Sequence, residues 1–340
     1  MHTVIHIGNH KTGTKLLQRN FFPKMKSIRF LGSPFEFKSE LHELFERIKY
    51  QDILTYNTKR TSDIYKKLKA SGKLGSENDP VLISDEALVT PFFGGKMTAE
   101  PAIIAKRIKD LFGNIKIIYV IRSQFSLLPS IYTQFVPPEW INQTHFEERI
   151  YENLKNHLNG MMHGIKFEKI CSLYENLFGK ENMKVIPYEM LINDPESYLK
   201  EICEFIGEPL DKNLINGIKL IKENKRRSRG HILWEILSAK YERARKKYQF
   251  GHPSKYIPFL SSNKVKFLLD NFLLKKPIEL KISNELKTVI EKFYGPSNNR
   301  LQKVYNLDLA KYNYPLDDSI VEKEDDVSEI EFKGWSIRRF

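Results

Sequence analysis

The stretch "HIGNHKTGTKLLQ", residues 6–18, decides the fold. It continues "TVIHI", residues 3–7, a β-branched apolar run that reads as a buried strand, and leads into "KLLQRNFF", where apolar spacing becomes helical. Between the two, "GNHKTGT" breaks both patterns, so the order is strand, glycine-containing loop, helix. Backbone N–H groups in such a loop, opening on a helix N-terminus, converge on one spot and favour negative charge there. Gly13 allows close approach, Thr12 and Thr14 add hydroxyl donors, and Lys11 supplies a mobile cation.

The rest of the chain repeats the alternation. Strands are expected at "VLIS" (81–84), "IKIIYVI" (115–121) and "MKVIPY" (183–188), and helices at 39–48, 101–112 and 195–207. The continuous apolar run at 115–121 is typical of a parallel strand covered on both faces. Asp194-Pro195 sets a capping residue before a first-turn proline, and Gly207 stands where that helix should stop. The pattern predicts an α/β fold, three-layer α/β/α, with a central parallel sheet and a P-loop-like phosphate-binding loop. Residues 208–312 carry few strand signals and form a helical elaboration, giving one domain over 1–315 and an acidic tail over 316–340.

The chain has 340 residues, 41% hydrophobic, enough to bury a sizeable core. No apolar run is long enough to span a bilayer and the N-terminus lacks secretory-signal order, so the expected location is cytoplasmic. Cys171 and Cys203 lie in helical segments without metal-ligand spacing and read as core residues. A net charge of +13 attracts anions: nucleotides, acidic glycans, nucleic acid or lipid headgroups. It is unevenly spread. Residues 219–247 hold eleven basic and three acidic side chains, which makes either a solvated helix face or a contact for an anionic membrane or polysaccharide.

The Walker pattern GxxxxGK[ST] sets lysine straight after the second glycine and a magnesium-binding hydroxyl after that. Gly8 and Gly13 have the spacing, but Thr14 and Lys15 follow, and the lysine suited to phosphate is Lys11. A P-loop kinase or other NTPase is disfavoured. The loop instead resembles the 5′-phosphosulfate loop of sulfotransferases that use 3′-phosphoadenylyl sulfate (PAPS), a strand followed by Lys-[Ser/Thr]-Gly-Thr-[Ser/Thr] and a helix. Lys15 is the departure, standing where that family has a hydroxyl residue. "IIYVIRSQFSLLPSIY", 117–132, is similar to the family's 3′-phosphate segment, with Arg122 at the strand end and Ser130 eight positions on. "ENKRRSRGH", 223–231, lies where the family has a basic loop over the 3′-phosphate, making Arg229 and Gly230 candidates ahead of Arg226 and Arg227. "VIPYEMLINDPESYLKEICEFIGE", 185–208, and "YGPSNNRLQKVYNLDL", 294–309, resemble further family segments, the first of them structural.

The resemblance implies in-line sulfuryl transfer, in which the protein positions groups and neutralises charge, without a required metal, leaving 3′-phosphoadenosine 5′-phosphate (PAP). Lys11 would act on the bridging oxygen and sulfonate. A base must take the acceptor's proton. In "VLISDEALV", 81–89, Glu86 resembles the glutamate that glycan-modifying members use, which points to a glycan or glycolipid acceptor and leaves a small molecule open. Asp85, or a helix-capping role for either carboxylate, is the alternative. Among histidines, His10 sits inside the loop and could touch the sulfonate, His2 and His6 read as structural, and His145 lies in a plausible substrate segment. Around the acceptor, "TPFFGGKM" (90–97) reads as a lid or a packed loop, and Tyr132, Gln134 and Trp140 offer aromatic faces and an amide suited to a sugar. The rival to an enzyme is a non-catalytic polyanion- or membrane-binding protein; specific nucleic-acid binding is not expected.

Overall fold

The computed structural model describes residues 3–76, 78–89, 92–93, 96–155, 160–211, 215, 228–247, 263–269, 274 and 276–317. Its centre is a five-stranded parallel sheet built from β1 (Thr3–Gly8), β2 (Arg29–Gly32), β3 (Val81–Ser84), β4 (Lys116–Ile121) and β5 (Met183–Pro187), in spatial order β2-β3-β1-β4-β5. From β1 the chain passes to the edge strand β2, returns to β3, then crosses β1 to build the other side. The topological switch point therefore lies beside the end of β1, where connections diverge to opposite faces, the place at which open α/β sheets bind ligands.

Side chains alternate across this sheet because the strand period is two. Ile5, Ile7, Val81, Ile83, Ile117, Tyr119 and Ile121 face one core, and Val4, Leu82, Ile118 and Val120 face the other. The first core is covered by α2 (Glu40–Tyr50), α4 (Pro101–Phe112), α5 (Gln124–Phe135), α7 (Phe167–Phe178) and α11 (Asn284–Tyr305), with α3 (Thr58–Ala70) and α6 (Gln143–Lys155) at its margins. The second is covered by α1 (Thr14–Asn20), α8 (Tyr188–Asn193) and α9 (Pro195–Ile206). Both faces are thus sealed, the arrangement expected of a parallel sheet.

The four expected strands and three expected helices form within a residue or two of their predicted limits. Asp194 accepts from the Ser197 N–H and Gly207 ends α9 at φ 88°, as its cap and stop residues require. The strand of the central sheet that sequence reading missed is β2. It is a half-buried edge strand paired on one side only, and its four residues carry no continuous apolar run. Beyond Gly207 the described residues hold helices, including α10 (Arg229–Lys247) and α11. Cys171 and Cys203 are both buried free thiols. Phe92–Phe93 pairs antiparallel with Lys96–Met97, while 90, 91, 94 and 95 in the expected lid, residues 219–227 of the basic run, and 318–340 of the tail lie outside the described residues. No helix among the described residues is long and apolar enough to cross a membrane.

Candidate active site

The loop after β1 contains two left-handed residues, Lys11 at φ 69° and Gly13 at φ 80°. Gly13 is demanded twice over, since a Cβ there would also stand 2.8 Å from Tyr188 Cε2. Gly8 is demanded by closeness alone: a Cβ would meet Thr12 Oγ1 at 2.8 Å and the Val120 carbonyl at 3.1 Å. Thr12 donates from Oγ1 to the Asn9 carbonyl at 2.6 Å and lies 3.4 Å from Thr14 Oγ1, so these buried hydroxyls knit the turn. Gly13 offers α1 no side-chain cap. First-turn N–H groups of a helix have no intrahelical acceptor, so the loop and helix start present donors suited to an oxyanion. Lys15 is exposed on α1.

Arg122, at the end of β4, fixes this loop. Its Nη1 donates to the Lys11 carbonyl at 2.6 Å and its Nε to Ser126 Oγ at 2.8 Å, while the guanidinium lies 5.0 Å from the centre of the Tyr188 ring. The left-handed Lys11 is therefore held from outside the loop. Ser130 stands one turn beyond Ser126 on α5, half-buried. Glu189, after β5, accepts from the Ser123 N–H and the Tyr314 hydroxyl, each at 3.0 Å. Burial pushes its carboxyl above the usual range, with Arg122 pulling the other way. Ser123 Oγ in turn donates to the Asn313 carbonyl, tying the segment after α11 to the start of α5. Sequence reading missed Ser126, Glu189 as a partner of the α5 start, and Tyr314. Only Ser126 left a signal, four positions after Arg122 on one helix face.

The two carboxylates after β3 have different surroundings. Asp85 is buried, accepting from the Ala87 N–H with Oδ1 and from Lys49 Nζ with Oδ2, both at 2.9 Å. It caps the single turn Glu86–Leu88 and neutralises Lys49. Lys49 is itself placed by Arg107, whose Nη1 donates to the Arg47 and Ile48 carbonyls near the end of α2 and whose guanidinium lies 3.8 Å from the Tyr56 ring centre. Asp85 is thus committed to structure. Glu86 points its Oε2 to His10 Nδ1 at 3.0 Å, with the two side chains 11% and 4% exposed. Beneath them His6 Nδ1 meets Ser84 Oγ at 2.8 Å, and Gln18 Nε2 donates to both the carbonyl and the hydroxyl of Ser84 at 3.0 Å. Burial lowers the His6 pKa to about 3, which keeps it neutral.

The acceptor candidates divide. Tyr132 is buried; its hydroxyl donates to the Trp140 carbonyl at 2.8 Å and meets His145 Nδ1, so it holds the segment after α5 in shape. Trp140 is 54% exposed with its ring centre 5.5 Å from that of His145, and Gln134 is half-buried. Arg229 and Gly230 open α10, donating from their backbone N–H groups to the Lys276 and Leu274 carbonyls at 3.0 Å; the Arg229 side chain is exposed. Arg226 and Arg227 lie outside the described residues.

Three strand ends thus converge on one loop: β1 with His10 and Lys11, β3 with Glu86, and β4 with Arg122. A solved sulfotransferase from Alicyclobacillus acidocaldarius has the same fold, with a TM-score of 0.50 and 16% identity over 91% of this chain and 97% of that one. Mouse sulfotransferase SULT7A1 complexed with PAP (TM-score 0.41, 14% identity, 91% of this chain and 88% of that one) and the sulfotransferase domain from the curacin biosynthetic pathway (0.38, 14%, 85% and 96%) are similar more distantly. No curated protein sequence matches significantly. The family model described as the sulfotransferase domain matches residues 2–264, spanning the loop, the β3 carboxylates and the Arg122 segment, and on that match the chain belongs to the sulfotransferase family.

Proposed function

We propose that this sulfotransferase moves the sulfonate group of PAPS to a hydroxyl or amine of an acceptor, a glycan or glycolipid, with Glu86 as general base. One observation carries the reading: Lys11, Arg122 and Glu86 come from three strand ends yet are tied into one unit, through Arg122 Nη1 on the Lys11 carbonyl at 2.6 Å and His10 Nδ1 on Glu86 at 3.0 Å. The bound donor supplies an activated sulfonate on a phosphate leaving group. The loop fits such a group, because Gly8 and Gly13 let its turn pack closely while it carries Lys11 and opens on a helix start with no side-chain cap.

In this mechanism Lys11 donates to the bridging oxygen as negative charge gathers there. The loop residues Thr12, Gly13, Thr14 and Lys15 hold the 5′ end, and Arg122 and Ser130, joined by the exposed Arg229, hold the 3′-phosphate, where the positive charge of the two guanidiniums suits a second anionic group. Glu86 takes the proton from the acceptor as its oxygen attacks sulfur. Gln134 and Trp140 flank the acceptor side, Tyr132 holds their segment in shape, and Trp140 offers an open aromatic face to a sugar ring. A glutamate base and the net charge of +13 support an acidic or sugar-bearing acceptor. The proposal includes a cytoplasmic setting, with the basic 219–247 run touching an anionic membrane or polysaccharide.

Thermal-shift measurements with PAP and with ATP–magnesium test the donor, and transfer of labelled sulfonate from PAPS to heparosan, octyl glucoside or p-nitrophenol tests the acceptor class. PAP should stabilise the protein and the sugar-bearing probes should accept label. Stabilisation by ATP–magnesium alone would return the chain to nucleotide-triphosphate chemistry. Salt-sensitive polyanion binding that survives both Lys11→Ala and Arg122→Ala would make it a non-catalytic binder.

A further inference from the structure

We infer that His10 is the positioning residue that registers the Glu86 carboxylate against the sulfonate-donor loop, an inference that rests on the reading of Glu86 as base. The backbone of Glu86 is fixed from below, because Asp85 caps its turn and is itself held by Lys49. That leaves the carboxylate to swing on its side-chain bonds unless something else holds it. His10 Nδ1 lies 3.0 Å from Glu86 Oε2. An ionised carboxylate only accepts hydrogen bonds, so Nδ1 carries the proton and Oε2 is occupied, leaving Oε1 to receive the acceptor's proton. The histidine ring is held in turn by Phe135 of α5, edge to face with ring centres 5.1 Å apart.

The partner's position in the chain gives the bond its meaning. His10 precedes Lys11, whose carbonyl Arg122 holds, so a single rigid path runs from Arg122 through the loop backbone to His10 and on to Glu86. The base is thereby indexed to the cation that meets the leaving group, although His10 and Glu86 stand 76 positions apart in the chain. Exposure sets the roles within the pair: the His10 side chain is 4% exposed and that of Glu86 11%, so the carboxylate is the more open to an acceptor.

Two full-length variants separate hydrogen bonding from packing. His10→Asn keeps an amide N–H near the place of Nδ1 and loses the ring; His10→Phe keeps a ring against Phe135 and loses the donor. Turnover is read as PAP release from PAPS with water as the acceptor, PAP binding by thermal shift, and Nδ1 protonation by nitrogen-15 NMR of labelled histidine. We expect an Nδ1–H signal in the wild type, kcat within about threefold of wild type for His10→Asn, and a loss of about thirtyfold for His10→Phe, with KM for PAPS and the PAP shift little changed in both. An unprotonated Nδ1, or the reverse order of the two variants, would overturn the inference. If Glu86→Gln abolishes turnover while His10→Phe matches wild type, the inference falls and the base assignment stands. If Glu86→Gln turns over normally while both His10 variants are inactive, the base assignment falls and the inference falls with it.

Discussion

Arg122 Nη1 holds the carbonyl oxygen of Lys11 at 2.6 Å, and the bond joins the end of the fourth strand to the loop after the first. The same guanidinium reaches Ser126 through Nε at 2.8 Å, so its fork spans the loop and α5. Lysine has one compact ammonium and cannot bridge both. Arg122→Lys should therefore weaken PAP binding by about 10- to 100-fold, the worth of a charge-assisted hydrogen bond, while lowering Tm in the absence of ligand only slightly. Titration calorimetry with PAP, beside a melt without ligand, checks both halves.

Gly13→Ala puts a Cβ at φ 80° and 2.8 Å from Tyr188 Cε2. Left-handed strain of about 1–2 kcal/mol adds to the contact with Tyr188, so urea unfolding should show at least that loss and PAP binding should fall with it. Gly72, also left-handed at φ 71° but with nothing within 4 Å of the place a Cβ would take, supplies the control: its alanine variant should show the strain without the loss of binding.

The neighbouring carboxylates should fail in opposite ways. Asp85→Asn strands the buried Lys49 ammonium and should cost about 3 kcal/mol of stability by urea titration. Glu86→Gln leaves that ion pair intact and should keep both the melting temperature and PAP binding while losing about 100-fold or more in turnover. A Glu86→Gln variant with wild-type turnover would remove Glu86 as the base.

His6 links stability to acid. Its folded pKa is lowered from 6.5 to about 3 by burial, so below pH 6.5 the unfolded chain takes up a proton that the folded one refuses. The stability it contributes is complete above pH 6.5 and is lost as pH falls toward 3, with a slope of about 1.4 kcal/mol per pH unit. His6→Asn can still meet Ser84 Oγ but does not titrate. Urea midpoints measured from pH 7 to pH 4 should fall less steeply in that variant than in the wild type.

Glu189 has the opposite sign. Burial raises its pKa above the ordinary value of 4.5, so its contribution is complete below that value and declines as pH rises through the folded pKa. Glu189→Gln should remove this decline, seen as a flatter dependence of the urea midpoint on pH above 4.5.

Much of this was legible in one dimension because it is local. The apolar runs of β1, β3, β4 and β5 and the Asp194-Pro195 and Gly207 punctuation of α9 are short-range consequences of side-chain shape and backbone preference, and they set an α/β chain with a phosphate loop at its start. The half-exposed strand β2 escaped because an edge strand needs only one partner and carries little apolar signal. Sequence could nominate Asp85 and Glu86 but not divide them, since the division rests on Lys49, 36 positions away, and on His10, 76 away. Nor could it show that Arg122 braces the turn at Lys11, or that Glu189 and Tyr314 close the far side. Those roles depend on which strand ends the sheet order brings together, and that order is settled by burying both faces of the whole sheet at once, not by any segment alone.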